Sequence, residues 1–261
     1  MTTLTWFLPR PRPSALKVWL RNLLVWRKLM VAGLFLTFGE PFVYLIGLGF
    51  GLGRFIGDVS GMSYLTFLAS GLLASSAMNA AAFEGMYSVF TRMVHQQTYE
   101  AILATPLQVD DIVAGEMLWC ATKSVIVCVP ILTVATLMGA ITSWSALAAV
   151  PVFFIVGLCF AGPSIFVSAL APSFDFFNYY VTLLITPMFI FSGVFYPIGA
   201  LPGFAQVIVQ VLPLAHAVAL IRPLVAGQPL EQIGLHLAVL LAYASVGYLA
   251  ATVFVRRRLI R

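Results

Sequence analysis

Long apolar runs separated by short polar connections dominate the chain. They fall approximately at Leu29–Phe50, Tyr64–Phe90, Ile112–Ala140, Ala146–Leu170, Tyr180–Ile198 and Ile233–Val255. A helix that crosses a bilayer needs about 20 apolar residues, so the pattern predicts six spans. Between the fifth and sixth, Gly199 to Gln232 is also mostly apolar, but Pro and Gly cut it into pieces such as Leu201-Pro202-Gly203, Val207-Ile208-Val209 and Val211-Leu212-Pro213-Leu214. Pieces this short read as re-entrant half-helices, tolerated at membrane depth where protein or a water-filled cavity satisfies the backbone. Ahead of the first run, Pro9, Pro11 and Pro13 keep the chain extended and Ser14 is a candidate N-cap. Leu16, Trp19, Leu20 and Leu23 then recur at helical spacing, with Lys17, Arg21 and Lys28 on the other side and Leu24 and Arg27 spoiling the division. This predicts a helix lying in the membrane interface. A cleaved signal peptide fits poorly, because the following apolar run is long and lacks a small-residue cleavage site.

The expected fold is therefore all-α and polytopic. Residues 1–28 form an N-terminal segment with the interfacial helix, 29–255 the six-helix membrane domain, and 256–261 a basic tail. Within the domain, 92–111 is a polar loop on the side of the termini and 199–232 the re-entrant segment on the opposite side. No internal repeat is visible, which leaves an inverted-repeat transporter without support.

Composition agrees. Of 261 residues, 61% are apolar and 9% charged, and the mean hydropathy is +1.02. Soluble domains carry charge on about a quarter of their residues, so a soluble enzyme and a disordered chain are both excluded, and no segment is polar enough for a separate catalytic domain. Charge also orients the chain. Eleven Lys and Arg residues fall on the side of the two termini, only Arg54 and Arg222 on the other, and Lys123 inside the third run. The positive-inside rule places both termini in the cytoplasm of a bacterial inner membrane. Cys120, Cys128 and Cys159 lie in apolar runs without metal-binding spacing and read as small core residues.

The loop at 92–111 carries the first candidate site. Tyr99, Ile102, Leu103 and Pro106 share one face of a short helix that Pro106 ends, and Asp110 and Asp111 suit the start of the next helix. An apolar face on a polar loop fits a partner protein's groove or the lipid headgroups. Lipid favours Lys and Arg, whereas this loop carries Glu100, Asp110 and Asp111.

Tyr99-Glu100-Ala101-Ile102-Leu103-Ala104-Thr105-Pro106-Leu107, followed by Asp111-Ile112-Val113, resembles the cytoplasmic coupling segment of ATP-binding-cassette type-2 export permeases. Phe191-Ser192-Gly193-Val194-Phe195-Tyr196-Pro197, Leu201-Pro202, Leu212-Pro213-Leu214 and Leu220-Ile221-Arg222 are similar to the family's fifth span and the hairpin after it. Gly39-Glu40-Pro41 and Phe83-Glu84-Gly85 are similar to its first two spans. The likeness covers nearly the whole chain. It is strongest to the branch that exports nodulation-factor lipo-oligosaccharides, although permeases for drugs, polysaccharides and teichoic acids share much of the pattern. The resemblance implies a homodimer with one ATPase subunit beneath each copy (a 2+2 complex), embedded in membrane lipid, with an amphipathic glycolipid as cargo and no nucleic acid partner. Tyr99, Glu100, Ile102, Leu103, Ala104, Thr105 and Pro106 would couple to the ATPase. ATP and magnesium would belong to that partner, since this chain has no GxxxxGK[ST] phosphate loop and no expected cofactor, metal or catalytic residue of its own.

Further residues are candidates for the transport path or its gates. Glu40, mid-span beside Pro41, either serves transport or helps satisfy the kinked backbone. Glu84 either faces the path or reaches the membrane interface. Phe177, Tyr179 and Tyr180 belong to an aromatic run that reads as an interfacial belt or as a stacking surface for sugar, with Asp175 and Asn178 supplying hydrogen bonds. Phe195 and Tyr196 flank the hairpin. His216 reads as a lone structural histidine, and Arg222 as a headgroup anchor or a partner for an acidic group on cargo. Two other classes remain for comparison: an intramembrane lipid- or sugar-modifying enzyme, for which Glu40 and Glu84 are the carboxylate pair on offer, and a passive channel, for which no charge ring stands out.

Overall fold

A computed structural model describes residues 9, 12–28, 30, 39, 41–141 and 143–260. Glu40 and most of the first half of the Leu29–Phe50 run lie outside the described residues. The chain is mainly helical. It forms α1 (Ala15–Arg27), α2 (Pro41–Ile56), a small hairpin of β1 (Asp58–Val59) and β2 (Met62–Ser63) pairing Asp58 with Ser63, α3 (Tyr64–His95) and α4 (Thr98–Leu103). There follow α5 (Val109–Leu137), α6 (Trp144–Leu170), α7 (Phe176–Phe191), α8 (Gly203–Val209), α9 (Pro213–Ala226) and α10 (Ile233–Leu259).

Helices α3, α5, α6 and α10 are each long and apolar enough to cross a membrane, and α8 with α9, bent by 86° at their junction, makes a fifth candidate. The predicted fifth span is shorter than the apolar run suggested. Helix α7 stops at Phe191, and Gly193 adopts φ +81°, so the chain leaves the helix before Ile198. At about 1.5 Å per residue, α7 falls short of the roughly 30 Å hydrocarbon layer. In contrast, α3 outruns its predicted end at Phe90 through two wider π-helical turns, Glu84–Ser88 and Thr91–His95. Helix α5 begins three residues before Ile112, set by a capping box in which the Asp111 carboxylate accepts the Gln108 backbone N–H at 3.0 Å.

With no hydrophobic drive between helices in lipid, close backbone approach holds such a bundle together. Where α6 crosses α10, a Cβ on Gly162 would lie 2.6 Å from the carbonyl carbon of Gly247. Likewise α1 lies directly on α5, and a Cβ on Gly115 would lie 2.6 Å from the Ala15 carbonyl oxygen. The predicted membrane face of α1 is therefore redrawn. Trp19 turns inward and donates to Thr122 Oγ1 at 2.9 Å, while Leu16, Leu20 and Leu24 form the exposed apolar stripe. Leu24, which spoiled the predicted division, belongs to it. Ser14 stands at the N-cap without a side-chain hydrogen bond.

The basic C-terminus is not a free tail. Arg256, Arg257 and Arg258 belong to α10. Arg256 pairs with Asp110 at the start of α5, and Arg258 Nη1 donates to the carbonyls of Ser168, Ala169 and Ala171 at 3.0, 3.0 and 2.7 Å. These bonds cap α6, whose last carbonyls have no partners within the helix. The three cysteines are buried and free.

Candidate functional site

At the end of the bundle where α4 lies, four elements converge on a buried ionic cluster. Its centre is Glu116 of α5, 1% exposed. Oε2 of Glu116 accepts from Arg92 Nη2 at 2.8 Å and from Asn22 Nδ2 at 2.9 Å, and Oε1 accepts from the Tyr99 hydroxyl at 2.9 Å. The helix α3, the N-terminal helix α1 and the short helix α4 thereby meet on one carboxylate. Arg92 Nη2 also donates to Glu84 Oε1 at 3.2 Å, the same oxygen that accepts from Trp119 Nε1 at 2.9 Å. Lys123 Nζ lies 4.0 Å from Glu84 Oε2 and 5.5 Å from the ring centroid of Trp26 on α1. Burial, and next the Glu116 charge, push the Tyr99 phenol well above its ordinary pKa. Its proton therefore stays in place to donate.

Glu84 also belongs to the wall of a partly open cavity of about 400 Å³ between α2, α3, α5 and α7. Its polar lining comprises Ser75, Ser76, Asn79, Glu84, Ser88 and Lys123, and its aromatic lining Tyr44, Phe83, Tyr87 and Phe189. Two of the lining rings also pack on Phe195, Tyr44 at 5.9 Å and Phe189 at 4.9 Å between centroids. Such a lining accepts hydrogen bonds on one wall and stacks flat apolar surface on another.

The predicted site residues distribute unevenly. In α4, Tyr99 is buried and Ile102 and Leu103 are half-buried against the core. The apolar face thus packs on the chain's own bundle, because Glu116 needs the Tyr99 hydroxyl. The outward surface consists of Glu100, Ala101, Ala104, Thr105 and Pro106, all exposed. Glu84 faces the cavity. Phe177 is fully buried, 5.0 Å from Tyr87 and 5.4 Å from Phe90, so it seals the bundle and cannot stack on a ligand. Tyr180 is buried, whereas Tyr179 is 66% exposed on the outer surface, and neither lines the cavity. Phe195 packs on the lining rings Tyr44 and Phe189, and Tyr196 beside it in sequence is half-buried. Glu40 lies outside the described residues.

His216 is not alone. Its Nδ1 lies 2.8 Å from Nδ1 of His236 and its Nε2 lies 2.8 Å from the Gln210 carbonyl. Arg222 is held by contacts within the protein. It donates to Gly193 O at 2.6 Å and Ser70 Oγ at 3.0 Å, with its guanidinium 3.6 Å from the Phe67 ring centroid. It ties α9 to α3 and to the loop after α7.

Sequence reasoning missed Glu116. The signal was present as Glu116, Trp119 and Lys123, spaced i, i+3 and i+7 on one face of an apolar helix, where ionisable groups mark function by default.

Residues 15–225 match the family described as ABC-2 type transporter. The chain belongs to that family. Two similar proteins match over nearly their whole length. It is 48% identical to Nodulation protein J of Rhizobium leguminosarum bv. viciae, covering 97% of this chain and 98% of the relative. It is 46% identical to Nodulation protein J of Rhizobium meliloti (strain 1021), covering 93% and 92%. A more distant relative, Inner membrane transport permease YadH of Escherichia coli (strain K12), is 26% identical over 68% and 69% of the two chains. The chain is thus a transport permease of the ATP-binding-cassette type, and the cluster around Glu116 and the cavity beside it are features of a permease.

Proposed function

We propose that this permease moves an amphipathic glycolipid, a lipo-oligosaccharide, outward across the bacterial inner membrane while a separate ATPase subunit binds ATP and magnesium and hydrolyses the nucleotide. The observation that carries this reading is the construction of α4, whose outer edge is exposed while its inner face is tied to the membrane helices through Tyr99 and Glu116. A push on such a helix reaches the bundle directly. The resemblance to nodulation proteins J supports the cargo, as does a cavity with one polar wall and one aromatic wall. In this reading the termini and α4 are cytoplasmic, Leu29–Phe50 and α7 complete six spans, and α8 with α9 forms a re-entrant hairpin. Two copies assemble over two ATPase subunits.

The mechanism follows from the chemistry of the cargo. A lipid tail stays in hydrocarbon while the headgroup crosses a narrow polar path, so a side-opening groove suffices. Nucleotide binding below favours one arrangement of α4 and hydrolysis the other, and the spans follow as a two-state change. An intramembrane lipid- or sugar-modifying enzyme would call for paired carboxylates or a metal cluster at one cavity. Glu116 is sealed and Glu84 is held by Trp119 and Arg92, which favours transport over chemistry.

The test uses the permease and its ATPase in liposomes. Glu100→Arg, on the exposed edge of α4, is expected to lower export roughly tenfold, the scale of ordinary coupling energies, with the complex still assembled. Undiminished export with Glu100→Arg would remove α4 as the contact.

A further inference from the structure

Glu84 stands between the cavity and the cluster that holds α4, and its two oxygens are used differently. Oε1 accepts from Trp119 and Arg92. Oε2 is 4.0 Å from Lys123 Nζ, too far for a hydrogen bond, and both side chains line the cavity. On the same wall, Asn79 Oδ1 is buried without a hydrogen-bond partner among the described residues. Buried polar atoms left unpaired are rare and call for an explanation. An occupant that donates hydrogen bonds supplies one for Asn79 and uses the spare oxygen of Glu84.

Behind that wall, Arg92 is under-used. A guanidinium normally grips a carboxylate with two nitrogens, yet here Nη2 alone serves both Glu84 and Glu116, and Nε is buried without a partner among the described residues. Two carboxylates, Glu84 and Glu116, face Arg92 and Lys123 in contact or near contact, and Arg21 lies close enough to interact with the charges of Arg92 and Glu116. A group that draws hydrogen bonding from Glu84 or Lys123 weakens the claim of Glu84 on Arg92. The guanidinium then has a second arrangement available, with two nitrogens on Glu116. Glu116 also holds Tyr99 of α4 and Asn22 of α1, so a change in its pairing reaches both helices. The wider turn of α3 at Glu84–Ser88 is the kind of helix irregularity that often accompanies functional sites.

We propose that Glu84 is the cargo sensor of this permease: an uncharged, hydroxyl-rich headgroup in the cavity hydrogen-bonds to Asn79, Glu84 and Lys123, shifts Arg92 toward Glu116, and so resets Tyr99 and α4. The inference rests on the reading of α4 as the ATPase contact. It makes Glu84 and Tyr99 two ends of one connection, of which only Glu84 touches cargo.

The experiment uses the full-length permease reconstituted with its ATPase in liposomes, with a purified lipo-oligosaccharide as the probe. The wild-type complex is expected to hydrolyse ATP faster when the lipo-oligosaccharide is present. Glu84→Gln and Tyr99→Phe should each lose that stimulation, and the double variant should be no worse than either single one. Binding of the probe to the permease alone, followed by tryptophan fluorescence, should weaken with Glu84→Gln and stay unchanged with Tyr99→Phe. If Glu84→Gln fails to assemble, Trp119→Phe removes a single donor from Glu84 and should reduce the stimulation. Full stimulation in Glu84→Gln or Trp119→Phe, or effects that multiply in the double variant, would overturn the proposal. A wild-type complex that exports the probe without any change in hydrolysis would also overturn it, and would leave the permease reading intact. One that neither exports nor responds would remove both.

Discussion

Replacing Glu116 by Ala removes a carboxylate on which three other elements converge. Arg92 loses its 2.8 Å partner, and Tyr99 and Asn22 each lose an acceptor at 2.9 Å. Breaking a buried ion pair by deleting one member costs about 3–5 kcal/mol. A buried hydroxyl and a buried amide left unpaired each add about 1–3 kcal/mol, though groups in one network do not add simply. A net loss of about 4–8 kcal/mol follows, comparable with the whole stability of many proteins, about 5–15 kcal/mol. Glu116→Gln keeps the shape and one acceptor, so its cost should be about half as large. The assay is thermal unfolding of the detergent-solubilised permease by circular dichroism, with the exposed Glu231→Ala as control. If Glu116→Ala unfolds within a degree or two of that control, on the order of 1 kcal/mol, the cluster does not hold these helices together and the reasoning fails.

Two further outcomes concern other joints. Arg222→Met deletes the donors to Gly193 O and Ser70 Oγ. It should loosen α9 from α3 at a cost of about 2–3 kcal/mol, seen as faster amide exchange in α9 with little change in α5. Gly247→Leu puts a side chain where a Cβ would already lie 2.6 Å from Pro163 Cδ. Overpacking of this kind costs about 1–3 kcal/mol or more, and membrane-inserted yield should fall sharply, whereas Gly234→Leu, with open space around it, should be tolerated.

The helices were legible because apolar runs of spanning length have few alternatives in lipid. Their ends were not, since these depend on local chemistry: the capping box of Gln108 and Asp111 advanced α5, and Gly193 stopped α7 early. The short helix near residue 100 was legible from spacing and Pro106, but its inward face was not. Tyr99 has its partner 17 residues away in a different helix, and nothing local to the loop announces Glu116. The aromatic lining of the cavity was hidden for a related reason. Phe174 to Tyr180 attracts attention as a cluster, yet the rings that line the cavity are Tyr44, Phe83, Tyr87 and Phe189, scattered over three helices. Likewise His216 looked solitary because His236 is 20 residues further on.

The backbone contact between Gly162 and Gly247 bears on how so small a machine can work. With no side chains between them to compress or repack, α6 and α10 form a keel. The arginine cap from Arg258 onto the end of α6 stiffens it further. Whatever stroke the permease performs is therefore left to the planks around the cavity, α2, α3 and α7, and probes fixed to α6 and α10 should serve as the stationary frame against which that stroke is measured.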